Sequence, residues 1–310
     1  MEIFARNGVV SRSRETLAHI LEAVNQTKAI TRIASDIELF VQEYGMAAVH
    51  LRGIHRKTGL VVIIKVGTSS RENSWTKKLH KVMSDLVPKV YASGAKLGNI
   101  KVHWMAMEAI PFGLGDSWKG KEFDLLLDAG IRFYQASTKI NDPTLLETTQ
   151  ETVKKWLQRS LIKRPPGPID NLLAKVYDHW GLIDEKCGRE VAFDDFHLAN
   201  VMTKEPPPNS RSAILIDIHP RWQPWILDPA YLQVLNSNDP NRPGHKNLIS
   251  RMARKRKDAD LRSLESDELE MASKIALGWM AARQWKPEVA KKQPEYRAVY
   301  EKFISEASEI

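Results

Sequence analysis

The chain has 310 residues, 43% hydrophobic and 27% charged, the balance of an ordinary folded protein with material for one large domain or two medium ones. Its net charge of +8 and pI near 9.4 favour contact with phosphates, nucleic acid or an acidic protein surface and disfavour a small cationic substrate. The single cysteine, Cys187, rules out an internal disulfide and suits a reducing compartment, and its apolar helical setting favours packing over catalysis.

The opening segment, MEIFARNGVVSRSRETL, has no apolar run long enough for a signal peptide, and no stretch approaches the roughly 18 apolar residues of a membrane span, so a cytoplasmic location is expected. From Ser13, SRETLAHILEAVNQ spaces Leu17, Ile20, Leu21 and Val24 at helical intervals, with Ser13 placed to cap them. The next run, IELFVQEYGMAAVHLRGIHRKTGLVVIIKVG, breaks at Tyr44-Gly45 and at Lys57-Thr58-Gly59, which predicts three antiparallel strands. The first break suits a loop over a ligand and the second a plain hairpin. Lys65 lies inside the last run. RENSWTKKLHKVMSDL then predicts a helix with Trp75, Leu79, Val82, Met83 and Leu86 on one face, stopped by Pro88. VPKVYASG and IKVHWMAMEAIPFG predict two further strands.

Beyond this antiparallel sheet with its one packed helix, the pattern turns helical. Residues 122–137, 143–160 and 168–186 carry helical apolar periodicity, separated by Pro143 and by Pro165-Pro166-Gly167-Pro168. One β-like island interrupts them: NVMTK, the turn EPPPNS, and AILIDI. From about residue 242 come the basic run RMARKRK at 251–257 and two more helical segments. The chain is expected to divide into a helical extension (1–34), a β-rich part (35–113), a mostly helical part (114–240) and a basic helical extension (241–310).

The polar residues with chemical potential gather around FDDFHLANVM, residues 193–202. Asp195 and Asn200 flank one loop, and Asp217 ends AILID, so a hairpin across the proline turn would bring the three together. Carboxylate and amide oxygens at the ends of adjacent strands suit a hard divalent cation such as Mg²⁺, which keeps waters and phosphate oxygens in its shell. Asp195 would then be left to accept a hydroxyl proton. A lysine inside an apolar strand is costly unless paired, and Glu72, on the helix that follows Lys65, can supply the partner.

The order of these features resembles the protein-kinase-like superfamily, above all its aminoglycoside-phosphotransferase and choline-kinase branch, whose catalytic loop reads Asp-x-His-x-x-Asn. Asp195-Phe196-His197-Leu198-Ala199-Asn200 fits that pattern. The resemblance spans roughly residues 35–235 and implies an α+β bilobal fold, with a small antiparallel-sheet N-lobe, one packed helix, and a larger mostly helical C-lobe. It implies ATP and Mg²⁺ as cofactors: Lys65 on the phosphates, Glu72 holding it, Glu108 bordering the adenine, and Tyr44, Gly45 and Met46 in the phosphate loop. Asp195 would be the catalytic base, and Asn200 and Asp217 the metal ligands. Two features depart from protein kinases: a phosphate loop with one glycine, and Ile218-His219-Pro220 after Asp217 in place of Phe-Gly. The VVIIKVG strand, the loop and the basic C-terminal segment also resemble, loosely, early protein kinases of short-tailed phages, whose location would be the host cytoplasm.

Each assignment has a plainer counterpart. Lys65 could be an edge-strand lysine, Glu72 a helix-start acid, Asp195 and Asn200 turn caps, and Asp217 a strand end. Asp194 is open between metal, cap and a pair with Arg189; His197 suits loop support; Asp228 suits loop support or a helix cap. Trp222 and Trp225 suit packing. Arg251, Arg254, Lys255, Arg256 and Lys257 suit a solvated helix face or a nucleic-acid or polymerase contact. The leading expectation is a Ser/Thr protein kinase acting on protein substrates with acidic surfaces. Behind it stand a small-molecule kinase acting on a hydroxyl, and an inactive kinase fold that binds nucleic acid or polymerase.

Overall fold

The structure, a computed structural model, describes residues 13–40, 48–113, 121–162, 168–206, 208–209, 211–237, 239 and 243–310. In chain order its elements begin with α1 (Arg14–Gln26), α2 (Lys28–Thr31), β1 (Ala34–Phe40), β2 (Val49–His55), β3 (Val61–Val66) and α3 (Ser70–Val82). β4 (Val90–Gly94), β5 (Trp104–Glu108), β6 (Phe112–Gly113), α4 (Glu122–Ser137), α5 (Gln150–Ile162), α6 (Pro168–Asp178) and α7 (Trp180–Cys187) follow. Then come β7 (Arg189–Ala192), β8 (Val201–Thr203), β9 (Ile214–Leu215), β10 (Arg221–Pro224), α8 (Leu227–Asn236), α9 (Leu248–Asp258), α10 (Ser266–Gln284), α11 (Pro287–Lys292) and α12 (Pro294–Ser308). The described residues form two compact units, one within Met1–Pro111 plus Ile214–Ile218, the other within Phe112–Ala213 and His219–Ile310.

The first unit is built on a five-stranded antiparallel sheet in the order β1-β2-β3-β5-β4. In β3, Val62, Ile64 and Val66 are fully buried in a core shared with Leu51, Trp104 and Ala106 and with Ile20 and Val24 of α1. The two-residue period of a strand turns Lys65 to the opposite face. Its register neighbours are His50 of β2 and Met105 of β5, so Lys65 sits on an interior strand and not on an edge. α1 starts as expected, with Ser13 Oγ accepting the Thr16 amide at 3.1 Å, and packs into this same core instead of standing apart. The expected helix up to Pro88 ends a turn early, at Val82. Leu86 still buries, and its carbonyl accepts the Leu215 amide at 2.8 Å.

The second unit centres on α4, whose Leu126, Leu127, Ala129 and Phe133 are fully buried. The expected helix over 168–186 is two helices, α6 and α7, parted at His179. The helix expected from 143 begins only at Gln150. A two-stranded antiparallel sheet unmarked in the pattern, β7 with β10, pairs Ala192 with Arg221 and Arg189 with Pro224. α10 packs against α8 and α12, and at Gly278 a Cβ would fall 2.2 Å from that of Ala307, so only glycine permits this approach.

Candidate active site

The first cluster lies wholly in the first unit. β3 ends at Val66; Gly67 turns the chain at φ 96°; Ser69 then caps α3 by accepting the Glu72 amide at 2.9 Å. This short passage delivers Glu72 in the first helical turn, where Lys65 Nζ donates to its Oε1 at 2.7 Å. Lys65 also donates to Asp217 Oδ1. Lys65 is 5% and Glu72 2% exposed, whereas the Asp217 side chain keeps 37%. Burial pulls the lysine pKa down, but the charges and hydrogen bonds of Glu72 and Asp217 outweigh it, and the net shift is upward. Asp217 itself sits at φ 55°, a left-handed conformation that aspartate tolerates better than most side chains.

The second cluster lies wholly in the second unit. Phe193, Phe196 and Leu198 bury as the fixings of the loop, at 1%, 0% and 7% exposure. Gly130 of α4 makes room, since a Cβ there would meet the Phe196 ring at 2.8 Å. Between these anchors Asp195 keeps 42% of its side chain exposed. Asn200 Nδ2 donates to its Oδ2 at 3.1 Å and to its backbone carbonyl at 2.9 Å. Tyr231 Oη–H donates to Oδ1 at 3.2 Å, and His197 Nε2 lies 3.4 Å from the same oxygen. Because His197 Nδ1 accepts the Ala199 amide at 3.2 Å, the ring proton belongs on Nε2, facing Asp195. Burial alone would raise the Asp195 pKa, yet His197, Asn200 and Tyr231 together hold it at about 2.

Support beneath the loop comes from residues that the sequence left open or did not mark. Asp228, fully buried, accepts the amides of Phe193 at 2.7 Å and Asp194 at 3.0 Å and the Tyr134 hydroxyl at 2.7 Å. Burial pushes its pKa up to about 7 against the pull of those donors. Asp194, at φ 70°, is clamped by Arg221 Nε at 2.7 Å and by Arg283 Nη1 at 2.9 Å, while Arg189 pairs with Asp184 instead. Arg283, Arg221 and Tyr231 carry no local sequence signal, since each reaches the loop from a distant element.

Other expected site residues fare differently. Glu108 ends β5, where its amide donates to the Lys89 carbonyl at 2.8 Å and its carboxylate accepts the Lys89 amide at 3.3 Å. Tyr44, Gly45 and Met46 lie outside the described residues. The basic run does not form a free cationic stripe. Arg256 has 0% exposure, forks onto Glu190 at 2.6 and 2.9 Å, and stacks on Trp225 and Tyr134 with centroids at 4.6 and 4.7 Å. Arg251 pairs with Asp124, Lys255 with Asp128 and Lys257 with Glu265, and Arg254 and Lys257 are exposed. Of the expected basic contact residues, Arg256 is turned inward, and no observation among the described residues supports a nucleic-acid contact. Trp225 is buried and Trp222 is 38% exposed. Cys187 is buried, which pushes its thiol up to about 12 and removes it as a nucleophile.

Among the described residues no group of three His, Cys, Asp or Glu side chains could hold a metal ion. Mg²⁺ needs no such cage, because it takes one or two protein oxygens and completes its shell from waters and phosphates. Asn200 fits that demand: its amide hydrogens face Asp195, and Oδ1 takes no hydrogen bond among the described residues. The partly exposed Asp217 carboxylate fits it as well.

No family model matches the sequence, and neither does any curated protein. Solved structures do match. A Ralstonia eutropha JMP134 protein assigned to the aminoglycoside phosphotransferases aligns at 12% identity and TM-score 0.62, over 94% of this chain and 98% of that one. Aminoglycoside phosphotransferase APH(4)-Ia aligns at 12% identity and TM-score 0.57, over 92% and 98% of the two chains. Choline kinase LicA from Streptococcus pneumoniae aligns at 13% identity and TM-score 0.57, over 94% and 100%. At such identities the likeness is one of fold. The chain shares the α+β fold of these aminoglycoside phosphotransferases and of this choline kinase.

Proposed function

We propose that the chain is a phosphotransferase that moves the γ-phosphate of ATP, with Mg²⁺, to a hydroxyl of a small molecule. The observation that carries this reading is Asp195: an ionised, partly exposed carboxylate oriented by His197, Asn200 and Tyr231 on a loop anchored by buried aromatics. It stands in a fold whose similar structures include a choline kinase and an APH(4)-Ia mutant in complex with ADP and hygromycin B.

Phosphoryl transfer asks a protein mainly for positioning and charge neutralisation. In this reading Lys65 binds phosphate oxygens, and Glu72 keeps its ammonium in place. Glu108 borders the adenine. Asp195, ionised at any pH well above about 2, accepts a hydrogen bond from the substrate hydroxyl and aligns its oxygen. It takes the proton as the new oxygen–phosphorus bond forms and the bond from the γ-phosphorus to the β,γ-bridging oxygen breaks, releasing ADP. Asn200 and Asp217 would hold Mg²⁺, which when bound offsets the phosphate charge.

The order of acceptors expected from the sequence is reversed. The similar structures are kinases of small molecules, and no observation favours a protein acceptor over them. No observation among the described residues supports the inactive, nucleic-acid-binding reading, and Arg256 of the basic run is committed to Glu190. Incubation with γ-labelled ATP and Mg²⁺ against a panel of polyols, aminoglycosides, amino alcohols and a cell extract tests the proposal. Labelled small molecules that disappear with Asp195→Asn are expected. Labelled proteins alone would overturn the acceptor class, and no transfer to any acceptor would overturn the enzyme reading.

A further inference from the structure

Helix α3 presents two working faces within the first unit. One turns Glu72 to Lys65. The other carries Ser70, Asn73, Ser74, Lys77 and Lys78, the i, i+3, i+4, i+7, i+8 stripe of a single helical face. This stripe forms one wall of a depression of about 460 Å³, closed on the far side by the end of β4 and by His103. That volume lies within the range of small-ligand sites, about 300–1,000 Å³. Among the described residues, Lys77, Lys78 and His103 are the titratable groups of its lining, which includes no carboxylate. Lys77 Nζ donates to Ser93 Oγ at 2.5 Å, tying the two walls together and using one of the three donors of the ammonium.

A second, independent feature lies in Asn73. Its residue is 6% exposed, and Nδ2 donates to the Trp104 carbonyl at 3.1 Å. That bond sets the orientation of the amide, because a carbonyl can only accept. Oδ1 is therefore an acceptor, and it is buried with no donor among the described residues. Buried polar atoms are nearly always satisfied, so an orphan beside a cationic depression points to a missing hydrogen-bond donor.

We propose that this depression binds a small phosphomonoester that also bears a hydroxyl. The phosphate lies against Lys77 and Lys78, and the hydroxyl donates to Asn73 Oδ1 after a small side-chain adjustment. The site is distinct from the cluster of Lys65, Glu72 and Asp217, which occupies the other face of the helix.

Isothermal titration of the full chain with glycerol 3-phosphate, and separately with methyl phosphate, tests the assignment without using catalysis. Glycerol 3-phosphate is expected to bind at one site per chain, and Lys77→Gln/Lys78→Gln, which changes only side chains outside the core, to weaken it at least about tenfold, the equivalent of ~1.4 kcal/mol. Methyl phosphate, which has no hydroxyl, is expected to bind several-fold more weakly. Absence of binding at millimolar concentration overturns the site. Binding that the double variant leaves unchanged places the anion elsewhere and overturns it too, and equal affinity for the two esters overturns the role of Asn73.

Discussion

Replacing Lys65 by methionine probes the buried charge cluster directly. The substitution keeps a long unbranched side chain on β3 but withdraws the cation from between Glu72 and Asp217. The two carboxylates do not contribute equally. The Glu72 side chain is 2% exposed, and the Lys65 ammonium lies 2.7 Å from it. The Asp217 side chain is 37% exposed, so water screens its pair despite the close contact. Removing one partner of a buried pair costs about 3–5 kcal/mol, against about 0–1 kcal/mol for an exposed pair. Lys65→Met should therefore lose about 3–5 kcal/mol, most of it through the broken pair with Glu72. That is a large fraction of a typical stability of about 5–15 kcal/mol.

The double variant Lys65→Met/Glu72→Met removes both charges and leaves apolar groups of similar length. Exchanging a buried pair for well-packed apolar residues ranges from neutral to stabilising by about 1–4 kcal/mol, so the double should recover most of the loss. Urea denaturation of the wild type, both single variants and the double, followed by circular dichroism, closes the cycle. If the double falls as far as the two singles added together, the carboxylate and ammonium are not desolvated against each other, and the reasoning fails. A pH series adds a sign. The Lys65 pKa is raised in the fold, so its contribution is full below 10.5 and is lost as pH climbs through the higher folded value. The advantage of the wild type over Lys65→Met should accordingly hold through neutral pH and shrink only in strong alkali.

Asp195→Asn keeps the shape of the loop but removes the proton acceptor. It should lower kcat by about 10²–10⁴-fold with little change in the urea midpoint, and retention of full turnover would exclude the assigned role. Asp228 has a folded pKa of about 7 against 3.8 unfolded, so its contribution is full below 3.8 and is lost as pH rises through about 7. Wild-type stability should climb on acidification from pH 7 towards 4, and that climb should be absent in Asp228→Asn; equal slopes in urea titrations would contradict it. Arg256→Met should cost more than about 2 kcal/mol, since it breaks a charged double hydrogen bond and two ring stacks. Arg254→Gln on the same helix should stay within about 0.5 kcal/mol of the wild type, and comparable losses in the two would refute the burial assigned to Arg256.

What could be read in advance depended on how far each residue stands from its partner along the chain. Lys65 and Glu72 are seven residues apart, and a charge in an apolar strand needs a nearby opposite charge, so the pair was readable before any fold was known. Asp195, His197 and Asn200 stood out because they interrupt a run of buried hydrophobes. The residues that clamp the loop had no such signal: Arg221 and Arg283 reach Asp194 across 27 and 89 positions, and Tyr231 reaches Asp195 across 36. Only the fold brings them together. The break at His179 was hidden for another reason, since apolar periodicity continues through Trp180 and Ile183 on its far side.

Arg256 differs from these, because its signal was present and its composition concealed it. RMARKRK reads as a solvated run if charges are merely counted. The period of the helix places residue 256 seven after Ile249, four after Met252 and three after Ala253, all of them buried. A charge on the apolar stripe of a helix is committed to the interior before its partner is known. The partner then decides whether the helix can pack, and here Glu190 on β7 takes both arms of the guanidinium while Trp225 and Tyr134 flank its plane. Glu190 lies three residues before Phe193, on the strand that enters the Asp195 loop, so the most basic helix of the chain helps fix the strand that positions the candidate base.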